Sequence, residues 1–188
     1  MKKIIISILT IIIIAIFSIL GFKDADIMNE NVVSNTNTTL NESTIDPSTF
    51  QEAYVKRIVD GDTIVVTIDG KDYKVRFIGI NTPESTTEIE PYGKEATKYT
   101  SSMLMGKTIY LEKDVRNTDK YDRLLRYVWL EIPTEISNEE IREKMFNAIL
   151  LENGYAKLFT YPPDVKYAKY LEPLEAEARN NSSGLWGL

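Results

Sequence analysis

The 188-residue sequence contains no cysteine and no histidine. Without cysteine there is no disulfide framework, no thiolate metal site, no thiol nucleophile and no lipidated N-terminal cysteine. Without histidine the commonest general base and the commonest transition-metal ligand are gone. Chemistry must run on carboxylates, Lys, Arg, Tyr, hydroxyls and backbone groups, and hard, oxygen-preferring cations such as Ca²⁺ or Mg²⁺ remain open. A positive surplus is also lacking. Twenty-two Lys and Arg stand against 28 Asp and Glu, a net charge of −6, and residues 53–188, with 19 against 22, still carry −3. The global field repels nucleic acid, so such a partner requires a local basic cluster.

What the sequence does have is clearly segmented. Two lysines precede nineteen uncharged, mostly apolar residues, Ile4 to Phe22. The run exceeds the usual signal-peptide core of about 7–15 residues and lacks a clean A-x-A site; a spanning helix takes about 20 residues. Segment 1–22 therefore reads as a signal peptide or a membrane anchor, with its lysines cytoplasmic and the rest outside. Residues 23–52 read as a flexible linker: from Asn29 to Thr49, thirteen of twenty-one residues are Asn, Ser or Thr, without apolar period. Residues 53–188 are the expected folded domain.

In that domain AYVKRIV, TIVVTI, YKVRFIGI, KTIYLEK and RLLRYVWLEI read as five strands. The first two are joined by DGD and the next pair by the hairpin signal DGK. PYGKEATKYTSSMLMG opens with Pro and closes with Gly, as helices do. SNEEIREKMFNAILLENG places Glu140 three residues after Ser137, a capping box, and predicts one helix ending at Gly154. DVKYAKYLEPLEAEARNNSSG predicts a third, with Tyr167, Leu171, Leu174 and Ala178 on one face and Pro173 as a kink site. The class is α+β: five short strands with a helix between the third and fourth suit an OB-fold barrel, here with three helices.

Three constellations carry potential chemistry. Asp60-Gly61-Asp62-Thr63 reads as a hairpin turn; it also reads as two carboxylates that repel unless a cation or donors lie between them. Asn81-Thr82-Pro83-Glu84 reads as a strand end stopped by proline; it also offers an amide oxygen, a carbonyl and a carboxylate of the kind Ca²⁺ takes. Arg76 lies in an otherwise apolar strand. It either lays its stem on apolar surface and pairs with a carboxylate or, with Arg123 of TDKYDR, clamps a phosphate.

VDGDTIVV, VRFIGINTPE and TDKYDRLLRYVW, in that order, resemble the staphylococcal nuclease (thermonuclease) family, as do NGYAKL and the closing GLW. The similarity runs from about Tyr54 to Trp186. It implies a Ca²⁺-dependent phosphodiesterase acting on DNA and RNA. Residue by residue, it implies Asp62 as the main carboxylate ligand with Asp60 beside it, Asn81 where the family often has a second Asp ligand, and the backbone carbonyl of Thr82. It implies Glu84 as the catalytic glutamate, Arg76 and Arg123 as the catalytic arginines, and Lys120 and Tyr121 near the substrate's terminal phosphate. Tyr161 resembles part of a base-stacking wall, within LFTYPP, which is one residue shorter than the family stretch.

The departures carry expectations of their own. Asn81 removes one charge from the metal site and predicts weaker Ca²⁺ binding. Asp122 stands where the family often has glycine, and is expected to face solvent rather than pair with Arg123. The acidic Ser85–Pro91 loop and the net charge predict modest affinity and steep salt dependence. The enzyme is expected outside the cytoplasm, secreted or membrane-anchored, as a monomer. The rival reading is an OB-fold module that binds single strands without cutting them.

Overall fold

The computed structural model describes residues 45–188; segment 1–22 and the linker up to residue 44 lie outside the described residues. Five strands close a barrel in the order β1-β2-β3-β6-β5: β1 Phe50–Asp60, β2 Thr63–Ile68, β3 Lys71–Phe77, β5 Thr108–Glu112 and β6 Leu124–Trp129. The expected α+β barrel is the one observed. β1 begins ahead of the predicted Ala53 and serves two partners, pairing with β5 through its first half and with β2 through its second. Bulges at Val55/Arg57 and Ile58/Asp60 bend it between them. The β3–β6 pair is parallel, so the sheet is mixed.

Alternation builds the interior. Ile64, Val66 and Ile68 of β2 and Val75 and Phe77 of β3 are buried while the residues between them face outward or sit half-buried. Trp129, Tyr127, Tyr167, Phe77 and Phe146 are the largest side chains wholly removed from solvent, and burial of each contributes about 1.5–3 kcal/mol or more. Glu112, also buried, accepts from Trp129 Nε1 (2.9 Å), Tyr167 Oη (3.0 Å) and Lys166, so its charge is compensated in the core.

The predicted third strand divides. β3 stops at Phe77, Gly79 turns with φ +79°, and β4, Gly79–Asn81, leaves the barrel to pair with β7, Lys157–Phe159. A left-handed residue cannot continue a strand, and glycine adopts it without a Cβ penalty. The predicted 137–154 helix also divides, giving four helices among the described residues where three were expected: α1 Gly93–Leu104, α2 Asn138–Lys144, α3 Phe146–Glu152 and α4 Ala168–Asn180. The break is Met145, extended at φ −85°, ψ 113° and bridged to Trp129, with Leu130 N–H bonded to Lys144 C=O at 2.8 Å. Ser137 caps α2 as expected (3.2 Å to Glu140 N–H), but Glu140 does not complete the box; it turns to Lys144 and Thr134 N–H. α4 buries Leu171, Leu174 and Ala178 and runs through Pro173.

Candidate active site

The register of the β2–β3 hairpin places Thr63 opposite Arg76, which sets Asp62 beside the arginine. Arg76 reaches Asp62 Oδ2 at 3.1 Å and donates to Asn81 Oδ1 at 2.8 Å and to the Ile80 carbonyl at 2.9 Å. Asp62 is only 4% exposed. Its Oδ2 also accepts from Thr82 N–H at 2.8 Å and its Oδ1 from the Thr63 hydroxyl at 3.0 Å. Asp60 Oδ1 accepts from Asp62 N–H at 3.1 Å. Two contacts fix this corner. A Cβ on Gly61 would lie 2.7 Å from the Thr82 side chain, so only glycine permits the approach. The Thr100 hydroxyl of α1 bonds the Gly61 carbonyl at 2.7 Å. Asp60, Asp62, Arg76, Asn81 and Thr82, scattered in sequence, are thus one cluster.

Burial, and then the charge of Asp62, push the Asp60 carboxyl up to about 6. A pair of carboxylates under that tension, with an amide oxygen and a carbonyl beside it, is an all-oxygen donor set and fits a hard divalent cation. It is a lean set: no group of three or more acidic, His or Cys side chains suited to a metal occurs among the described residues. The Asn81 amide nitrogen rests on the Thr82 carbonyl at 3.2 Å, holding the two neutral donors together.

Arg76 also lines a cleft of about 610 Å³, to which the 116–123 loop contributes as well. Arg123, Lys120, Tyr121 and Tyr161 all face it. Arg123 is held by Asp119, Nε to Oδ2 at 2.7 Å, while Asp119 Oδ1 accepts from the N–H groups of Tyr121 (2.9 Å) and Arg123 (3.1 Å). The partner of Arg123 is therefore Asp119; Asp122 is exposed, with φ +58°. Lys120 Nζ and Arg123 Cζ lie 4.9 and 5.5 Å from the Tyr121 ring centroid. The cleft thus collects the local positive charge that the whole molecule lacks.

Glu84 is not among the cleft residues. Its Oε1 accepts from Ser85 N–H (2.9 Å), Thr86 N–H (2.7 Å) and the Thr86 hydroxyl (2.5 Å), turning the carboxylate onto its own loop. These bonds, led by that of the Thr86 side chain, hold Glu84 below its ordinary range. Sequence reasoning missed Asp119, Arg116, Asp164 and Phe159, all of which line the cleft. No spacing rule signalled the Asp119–Arg123 pair, which closes a turn rather than lying on a helix face, and the Arg116–Asp164 pairing spans 48 residues.

The family model described as "Staphylococcal nuclease homologue" matches residues 74–187. The chain is 40% identical to a thermonuclease of Staphylococcus intermedius over 139 residues, 72% of this chain and 76% of that protein. It is 37% identical to the thermonuclease of Staphylococcus hyicus over 135 residues, 70% and 73% of the two chains. A third relative, endonuclease YncB of Bacillus subtilis, is 32% identical over 135 residues, 69% and 59% of the two chains. The match embraces the arginine cleft, the Asn81–Glu84 segment and all four helices, and the chain belongs to the staphylococcal nuclease family.

Proposed function

We propose that this chain is a calcium-dependent nuclease working outside the cytoplasm on DNA and RNA. That it is a nuclease, a hydrolase of phosphodiester bonds, follows from its family and from relatives named thermonuclease and endonuclease. The observation that carries the site assignment is the convergence of Arg76 and Arg123 on one cleft, with Arg76 tied to the buried Asp62. Two guanidinium groups lining one cleft suit the non-bridging oxygens of one phosphate, where charge gathers in the transition state. Asp62, Asp60, the Asn81 amide oxygen and the Thr82 carbonyl would hold the calcium ion. When bound, it supplies Lewis-acid polarisation of the phosphate.

Glu84 accepts or orients the proton of the attacking water, which requires its carboxylate to leave Thr86. Lys120 and Tyr121 meet the terminal phosphate and Tyr161 a base. The location rests on the apolar 4–22 segment behind two lysines. Under the rival reading, a barrel that grips without cutting, neither the Asp60–Asp62 pair nor the paired arginines would have chemical work. The deciding experiment assays the purified full chain on single- and double-stranded DNA with Ca²⁺, Mg²⁺ or EGTA, alongside Glu84→Ala. Cleavage that EGTA abolishes and Glu84→Ala cuts by about 10²-fold or more is expected. Cleavage persisting in EGTA would overturn the metal assignment, and binding without cleavage would favour the rival.

A further inference from the structure

We propose that Arg116 holds a phosphate of the substrate strand next to the scissile one, forming a subsite that sets how many nucleotides the enzyme grips. The inference rests on the nuclease reading of the cleft and adds a third guanidinium to it. Arg116 lines the same cleft as Arg76 and Arg123. Its side chain is partly exposed but held in place. Its Nε donates to Asp164 Oδ2 at 2.5 Å, and Asp164 is 2% exposed. The other Asp164 oxygen accepts from the backbone N–H groups of Val115 (3.0 Å) and Arg116 (2.8 Å). A buried carboxylate whose bonds all serve one short segment of chain is an anchor for it.

The guanidinium carbon stands 4.9 Å from the centroid of the Tyr161 ring, which is 58% exposed. The cation lies over that ring while Asp164 takes its Nε edge. Among the described residues no acceptor meets the two terminal nitrogens, the bidentate edge that matches a phosphate. Phe159, 55% exposed, lines the cleft as well. A cation held against an exposed ring beside a second aromatic suits a strand whose phosphate meets the charge while a base meets a ring.

The test measures KM and kcat for the full chain and Arg116→Gln on two substrates, an oligonucleotide and a dinucleotide with only the scissile linkage, across a salt series. On the oligonucleotide Arg116→Gln is expected to raise KM about tenfold with kcat within about twofold, the loss of one charged hydrogen bond. It is also expected to flatten the log KM–log salt slope by about 0.7, one phosphate on a single strand. The dinucleotide should not register the change, and Arg116→Lys should restore the slope. A neutral methylphosphonate at an adjacent linkage should raise the wild-type KM by a similar factor and have no further effect on Arg116→Gln; the wild-type arm of this test does not depend on the variant folding. Equal losses on both substrates, or a wild type indifferent to every adjacent methylphosphonate, would overturn the subsite. A wild type that cuts neither substrate would instead overturn the nuclease reading on which it rests.

Discussion

Two single positions separate this site from the pattern it resembles, and each has a physical consequence. Asp122 adopts φ +58° at the tip of the loop carrying Lys120, Tyr121 and Arg123. Left-handed backbone costs an L-residue about 1–2 kcal/mol relative to glycine, less for Asp. Asp122 is exposed and does not engage Arg123. Asp122→Gly is therefore expected to stabilise the fold by about 0.5–1 kcal/mol with kcat within about twofold, checked by urea denaturation and a standard assay. Asn81 is subtler. Its Oδ1 is already held by Arg76 at 2.8 Å, so Asn81→Asp adds charge to the proposed cation site and to the arginine's neighbourhood together. We expect tighter apparent calcium affinity, because ligand charge count sets it, and a lower kcat, because a carboxylate would draw Arg76 from the phosphate. A calcium titration of activity that shows no tightening would refute the charge argument.

At the scale of elements, two struts keep the cleft walls in place. The 118–123 turn closes on Asp119, which Arg123 and two backbone N–H groups engage. Burial pushes the Asp119 carboxyl up, but those bonds outweigh it and leave it below its ordinary value. Its contribution is thus fully present above the unfolded-state value of about 4 and is lost as pH falls through the lower folded value. Asp119→Asn should destabilise the wild-type fold at pH 7 by about 1–2 kcal/mol, and the gap should narrow in denaturation series carried below pH 4. The second strut is Asn147, fully buried at the start of α3. It accepts from Val128 N–H and donates to the Ile78 carbonyl, both at 2.8 Å, joining β6 to the point where β3 leaves the barrel. Asn147→Ala orphans two buried backbone groups at about 1–3 kcal/mol each, so a loss of about 3–4 kcal/mol is expected by chemical denaturation. Neither strut was legible beforehand. The barrel strands were, because alternation and the Asp69-Gly70 turn are local signals. The Met145 break and the three-residue β7 were not, since a neighbouring strand imposes them. The acidic corner was readable as residue types near two turns, but Glu84 facing its own loop depends on Thr86, which no spacing rule singles out.

For the whole molecule, charge is the governing quantity. A net −6 chain must hold a polyanion with a few cleft cations, among them Arg76, Arg116, Lys120 and Arg123. Long-range attraction is absent, so encounter gains nothing from steering and binding depends on contacts made at close quarters. If each of those four cations met one phosphate, counter-ion release would give a log–log slope of affinity (1/KM) against salt near −0.7 per phosphate, about −3 in total. Between about 50 and 200 mM monovalent salt that is a loss of about 50-fold in affinity, with little recovered from the rest of the surface. The screened interaction is local, so kcat, set once the phosphate lies between Arg76 and Arg123, should stay nearly constant over that range. Initial rates against salt at fixed free calcium separate the two quantities. A slope near zero would mean that the arginines remain paired with Asp62, Asp119 and Asp164 in the complex and that the cleft does not carry the strand. A slope much steeper than −3 would place additional phosphates on lysines outside it, such as Lys94 and Lys98 of α1.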